Sequence, residues 1–300
     1  MTPTENTTTT AENTRKTVLR SSLGILSTAT ATHGTGRDGD IPLPRLPGFV
    51  ESAFSPLAYE ASRLCLAERP GDGSRTAVAL ASTAGDTTTA DLASRRMVSG
   101  RVHNPLLFMQ ATPNSVLGYL SREFGITGQM FSLSTLDDPV TELLSMADLL
   151  LEDPDVDRVL ALGVELGGSE RLTAMYEELA DSHGHPAPAP TPALPADAGL
   201  AAAVLLGRPG TGTPVSVRSA EAYEGDGGTG ADGIGTRVQP GSIQSLFDLV
   251  GLHRRLLREG GSHVLVTDPR APAFTLTVTA DTDTDTDTDA RNETETHAHQ

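Results

Sequence analysis

The chain has 300 residues and a formal net charge of −17, which argues against nucleic acid or an anionic membrane surface as a partner, since both demand basic patches. Hydrophobic residues make up 37% and aromatics 4%, with no tryptophan against 30 glycines and 20 prolines, so much of the length must be loop or tail. No apolar run approaches the ~20 residues needed to cross a bilayer, and the N-terminal MTPTENTTTTAENTRKT lacks the apolar stretch of a secretory signal.

Residues 1–15 are Thr-rich and expected to be disordered. A strand is predicted over Val18 to Ser27, and an amphipathic helix over Ser55 to Ala67. The sole cysteine, Cys65, sits within that helix, where it reads as a small core residue; a single thiol excludes an internal disulfide and fits a cytoplasmic setting. A strand follows at Thr76 to Ser82, then Arg95, Arg96 and Arg101, a small basic group read as solvated loop residues. The next elements are a helix over Ser115 to Glu123 and a strand over Met130 to Ser134. In that strand Phe131 and Leu133 alternate with Ser132 and Ser134, the pattern of an edge that another chain must cover. A helix is predicted over Pro139 to Glu152, with Asp137 ahead of Asp138 and Pro139 suited to capping its start.

A strand over Arg158 to Val164 leads to the proline-rich connector from His183 to Ala198, whose two histidines, His183 and His185, make only a weak metal site. A strand over Leu200 to Leu206 closes this part. Beyond it come a strand at Val215 to Tyr223, a glycine-rich loop from Gly225 to Gly241, an amphipathic helix over Ile243 to Arg258, and strands at His263 to Thr267 and Phe274 to Thr279. Residues 281–300 are an Asp/Thr repeat without the glycine and terminal glutamate of a calcium loop, and read as a solvated tail. The alternation predicts a layered α/β fold.

The stretch NPLLFMQATPNSVLGYLSREFGITGQMFSLSTLDDPVTELLSMADLLLEDPDVDRVLALGVELGG, residues 104–168, carries Pro105, Phe108, Asn114, Gly118, Gly125, Gly128, Thr135, Ala147, Gly163 and Glu165 in the spacing of a ketosynthase active-site region. It resembles the β-ketoacyl synthases of the thiolase superfamily. The resemblance implies a thiolase-like fold with a mixed five-stranded sheet, complete in its N-terminal half (residues 16–207) and reduced in its C-terminal half (208–280). It also places the family's nucleophilic cysteine on Asp137.

Condensation in that family needs a thiolate at a helix N-terminus and two histidines that stabilise the developing enolate. Neither histidine motif is found in place: His33-Gly34-Thr35-Gly36 and Gly210-Thr211-Gly212-Thr213-Pro214 imitate one of them at the wrong positions, while His253 and His263 read as structural. The resemblance is therefore to degenerate members, the chain length factors, whose role is to pair with an active ketosynthase and limit the length of its product. A glutamine often replaces the cysteine there, and Asp137 departs from that pattern too. Partners implied are an active ketosynthase and an acyl carrier protein, in a homo- or heterodimer, with no cofactor. Two alternatives remain open: an acyl-carrier-dependent decarboxylase or acyltransferase on the same fold, and a stand-alone carrier-binding scaffold.

Overall fold

The structure is a computed structural model that describes residues 18–100, 105–134, 138–167, 174, 178, 194–195, 197–210, 212–220, 243–267 and 272–278. The two predicted tails, the connector from 183 to 193, the glycine-rich loop 225–241, and Arg101, Thr135 and Asp137 lie outside the described residues.

The elements run β1 (Leu23–His33), α1 (Phe54–Glu68), β2 (Thr76–Ser82), α2 (Thr87–Val98), α3 (Pro105–Gln110), α4 (Pro113–Phe124), β3 (Met130–Ser134), α5 (Pro139–Leu150), β4 (Arg158–Leu166), β5 (Gly199–Gly207), β6 (Val215–Ser219), α6 (Gln244–Glu259), β7 (Ser262–Leu265) and β8 (Phe274–Val278). All the strands join one mixed sheet in the order β3-β2-β4-β5-β1-β6-β8-β7. Five of them, β3 to β1 in that order, form the sheet implied by the resemblance. The count differs because β6, β8 and β7 continue the same sheet past β1, giving 8 strands.

The central strands β2, β4 and β5 read as nearly unbroken apolar runs (TAVALAS, RVLALGVEL, GLAAAVLLG) because helices cover both of their faces. Val78, Leu80, Leu160, Leu162, Ala203 and Leu205 pack against α1 and α4, while Ala77, Ala79, Val159, Ala161, Val204 and Leu206 pack against α5 and α6. The result is three layers with two apolar cores.

β1 starts later than predicted and runs six residues further. A bulge between Ile25 and Ser27, where β1 meets β5, reverses the facing of its side chains. Leu23 and Ile25 belong to the α5/α6 core, whereas Ala29 and Ala31 belong to the α1/α4 core. The segment ahead of β1 is held by side chains instead of by strand pairing: buried Asp148 on α5 accepts from the Arg20 amide at 2.9 Å and from the Ser21 hydroxyl at 3.0 Å, and Ser219 Oγ on β6 accepts from the Leu19 amide at 2.9 Å.

Arg95 and Arg96 are not loop residues but lie in the last turn of α2, where Arg96 pairs with Glu51 at 3.6 Å. That helix begins at Asp86, a buried cap that accepts from Thr89 and from the Ser52 hydroxyl at 2.6 Å. Among the described residues no helix is long and apolar enough to cross a membrane.

Candidate functional site

β2, β3 and β4 are parallel, so their C-terminal ends meet at one pole of the sheet, with Ser82 beside Ser134 and Ala81 beside Gly163. α5 leaves this pole directly after β3. Its N-cap is Asp138, not Asp137, because Pro139 takes the first helical position, where its missing N–H costs nothing.

Asp138 is buried and accepts five hydrogen bonds. Two come from the amides of Val140 at 3.3 Å and Thr141 at 3.1 Å, and one from the Thr141 hydroxyl. The other two come from the C-terminal part of the chain: Ser245 Oγ in the first turn of α6 at 3.2 Å, and Thr267 Oγ1 just beyond β7 at 2.6 Å. A buried carboxylate is tolerable only with such partners, and the positive end of α5 adds to them.

Glu165, near the end of β4, makes the second tie. Its Oε2 accepts from the Ile243 amide at 3.0 Å, where α6 begins with an orphan donor. Gly163 lets that helix approach: a Cβ there would lie 2.9 Å from Leu246 and 3.1 Å from Ile243. Two buried carboxylates thus fasten α6 to the pole where a ketosynthase carries its nucleophile.

Of the predicted site residues, Glu165 reaches this pole, Thr135 and Asp137 lie outside the described residues, and the rest gather around β3. Pro105 opens α3 and Phe108 lies within it. Asn114, in the first turn of α4, accepts from the Ser132 hydroxyl on β3 at 2.8 Å. Gly128 passes so close to β2 that a Cβ would lie 2.2 Å from the Thr76 carbonyl. Gly118 is exposed on α4, and a Cβ added there would meet nothing within 4 Å. Phe131 on β3 is 38% exposed, and on α3 Leu106, Phe108 and Met109 are exposed as well. β3 stands at the margin of the sheet, hydrogen-bonded to β2 alone among the described strands.

Sequence reasoning missed Asp138, Ser245 and Thr267. The proline at 139 was the available signal for the first, since it fixes the cap at the preceding residue. Nothing local marks the two hydroxyls, which arrive from more than a hundred residues away.

Of the remaining candidate groups, His33 alone among the described residues lies at this pole, at the end of β1 opposite Gly199, the partner of Leu166. Cys65 packs between α1 and β1, on the opposite face of the sheet from α5, and burial pushes its thiol up to about 11. His33 holds the Ile41 carbonyl at 2.8 Å, and the turn after it is organised by Asp40, which accepts from Thr35 at 2.7 Å. Thr213 closes its own turn onto the Gly210 carbonyl at 2.6 Å, between β5 and β6 and at the other pole. His253 is buried on α6, with Nδ1 3.2 Å from Thr28 Oγ1 and Nε2 without a partner among the described residues; burial, with a smaller push from Arg254, lowers it to about 4. Among the described residues no three His, Cys, Asp or Glu side chains are grouped to hold a metal ion.

No protein-family model matches the sequence, and no curated protein matches it either. Solved structures do. A chain from a ketosynthase (ApeO) in complex with its chain length factor (ApeC) from Xenorhabdus doucetiae is similar at 17% identity and TM-score 0.52, over 86% of this chain and 100% of that one. The ishigamide ketosynthase/chain length factor is similar at 15% identity and TM-score 0.44, over 66% and 68%. A type II polyketide ketosynthase with its acyl carrier protein (AntDE:AntF) is similar at 17% identity and TM-score 0.45, over 63% of each chain. The chain has the thiolase-like fold of the first of these.

Proposed function

We infer that this chain is a non-catalytic, ketosynthase-like subunit of the chain-length-factor type, which pairs with an active ketosynthase in a type II polyketide, polyene or fatty-acid-like system of the cytoplasm. The observation that carries this reading is the state of the α5 N-terminus. One residue past the position to which the resemblance assigns the thiolate, Asp138 turns its carboxylate inward onto five donors, and the chain's one thiol is buried on the other side of the sheet. Neither a thiol nor a pair of histidines stands at this pole among the described residues. The fold shared with a chain of a ketosynthase–chain length factor complex supports the subunit role.

The margin at β3 supports pairing as the task. An edge strand with exposed Phe131 offers both unpaired backbone and apolar area to a second sheet. Co-expression with a ketosynthase that carries an intact cysteine and both histidines, followed by size-exclusion chromatography, tests it. A stable heterodimer is expected, and Phe131→Asp or Ser132→Pro is expected to abolish it, the first by burying a charge and the second by deleting a ladder hydrogen bond. A folded variant that still forms the complex at wild-type affinity overturns this interface. The purified chain alone, given acyl- and malonyl-carrier protein, is expected to make no β-ketoacyl product; turnover would overturn the non-catalytic reading.

A further inference from the structure

The pole of the sheet opposite Asp138 carries a cavity of about 270 Å³ between α1, the loop that follows it and the end of α4. β4 separates the two poles by about 25 Å, so the cavity is independent of the subunit reading. Its walls are Leu66, Phe124 and Ile126, with Arg63 and Arg158 at its polar side. The two arginines differ. Arg63 is already neutralised by Glu60, which accepts from its Nε at 2.9 Å and its Nη2 at 2.6 Å.

Arg158, the first residue of β4, has no carboxylate partner among the described residues. Its Nε donates to Thr76 Oγ1 at 2.7 Å and its Nη1 to the Arg69 carbonyl at 2.7 Å, leaving Nη2 without an acceptor among them. The acids nearest in charge are committed elsewhere: Asp72 accepts from the amide and hydroxyl of Ser74, and Asp157 from Arg75 at 2.6 and 2.8 Å. Gly71 packs against the guanidinium so closely that a Cβ would lie 2.4 Å from Nη1. The cation is thus fixed in place by two neutral acceptors and a glycine, partly withdrawn from water, and lacks a counter-ion among the described residues.

We propose that this cavity binds a short straight-chain carboxylate, with the carboxylate on Arg158 and the alkyl chain along Leu66, Phe124 and Ile126. The remaining Nη2 can donate a charge-assisted hydrogen bond to a carboxylate oxygen, and partial desolvation makes such a bond stronger than at an open surface. The volume equals about nine liquid-water volumes, below the usual range for drug-sized ligands. A ligand of about ten non-hydrogen atoms, the size of octanoate, matches that volume.

Isothermal titration of the full chain with sodium octanoate, 1-octanol and octylamine tests the proposal. Octanoate is expected to bind with one site per chain, octanol at least tenfold more weakly, and octylamine not measurably. Arg158→Gln should weaken octanoate at least tenfold while leaving octanol within twofold. Ala67→Trp, at an exposed position on the cavity wall, should fill the space and abolish both. Absence of saturable octanoate binding at millimolar concentration overturns the proposal, as does octanoate affinity that Arg158→Gln leaves within twofold. Should Arg158→Gln fail to fold, undiminished octanoate binding by Ala67→Trp overturns it.

Discussion

Where α5 meets α6, Asp138 draws five donors and Glu165 holds the first amide of the incoming helix; on β3, a strand with one neighbour among the described strands, Phe131 stays exposed. The first region is chemically saturated inside the molecule. The second is unfinished at its surface. A carboxylate with all its lone pairs taken has little capacity left for an incoming substrate, whereas an apolar margin has a standing free-energy gain on being covered. The contrast supports the proposal that the protein meets a partner at β3 and not at the start of α5.

The largest expected effect breaks the saturated region. Asp138→Ala removes a helix cap and leaves Ser245 and Thr267 hydroxyls buried without their acceptor, a loss of about 4 kcal/mol, which urea unfolding would register as a lower midpoint. Asp138→Asn keeps the shape and part of the bonding, so its loss should be about half of that. Equal effects of the two would show that the charge, not the geometry, holds the seam.

His253 sets the next effect, because it is the one buried side chain of this region left incompletely bonded among the described residues. Folding lowers it to about 4 from an ordinary 6.5. Below pH 6.5 the unfolded chain takes up a proton that the folded chain refuses until about pH 4, so stability falls as pH falls through that window and levels off beneath it. The full span is on the order of 3 kcal/mol. Unfolding measured from pH 7.5 to 4 for wild type and His253→Leu should differ by this slope, and parallel curves would contradict it.

The smallest effect sharpens the other side of the comparison. Gly118 lies in mid-helix with open space around it, so Gly118→Ala should stabilise the isolated chain by about 0.5–1 kcal/mol, read as a slightly higher melting temperature. If the same variant weakens the heterodimer, the glycine serves close approach of the partner; an unaffected complex would place the interface away from this face of α4.

β2 and β3 were legible to the residue, and β4 and β5 nearly so, because short apolar runs bounded by polar turns admit few other readings. β1 was not, since its bulge reverses the side-chain alternation midway, and beyond it the alternation is of alanine with threonine, a weak contrast in hydropathy. α2 escaped because it starts Thr-Thr-Thr and buries only Thr87, Thr89 and Ala93, giving almost no apolar periodicity. The site was half legible. Glu165 stood among the landmarks, and a carboxylate at the start of α5 was expected, but one residue early.

By itself the sequence determined which segments bury apolar surface, where proline and aspartate can begin a helix, and that a lone cysteine inside an amphipathic helix is a core residue. These depend on neighbours a few residues apart. Only the tertiary structure decided that β6, β8 and β7 extend the first sheet, that Ser245 and Thr267 close over Asp138, and that Arg158 is left without an acid among the described residues. Each of those rests on groups brought together from distant parts of the chain, where burial and hydrogen-bond saturation are settled by packing and leave no local trace.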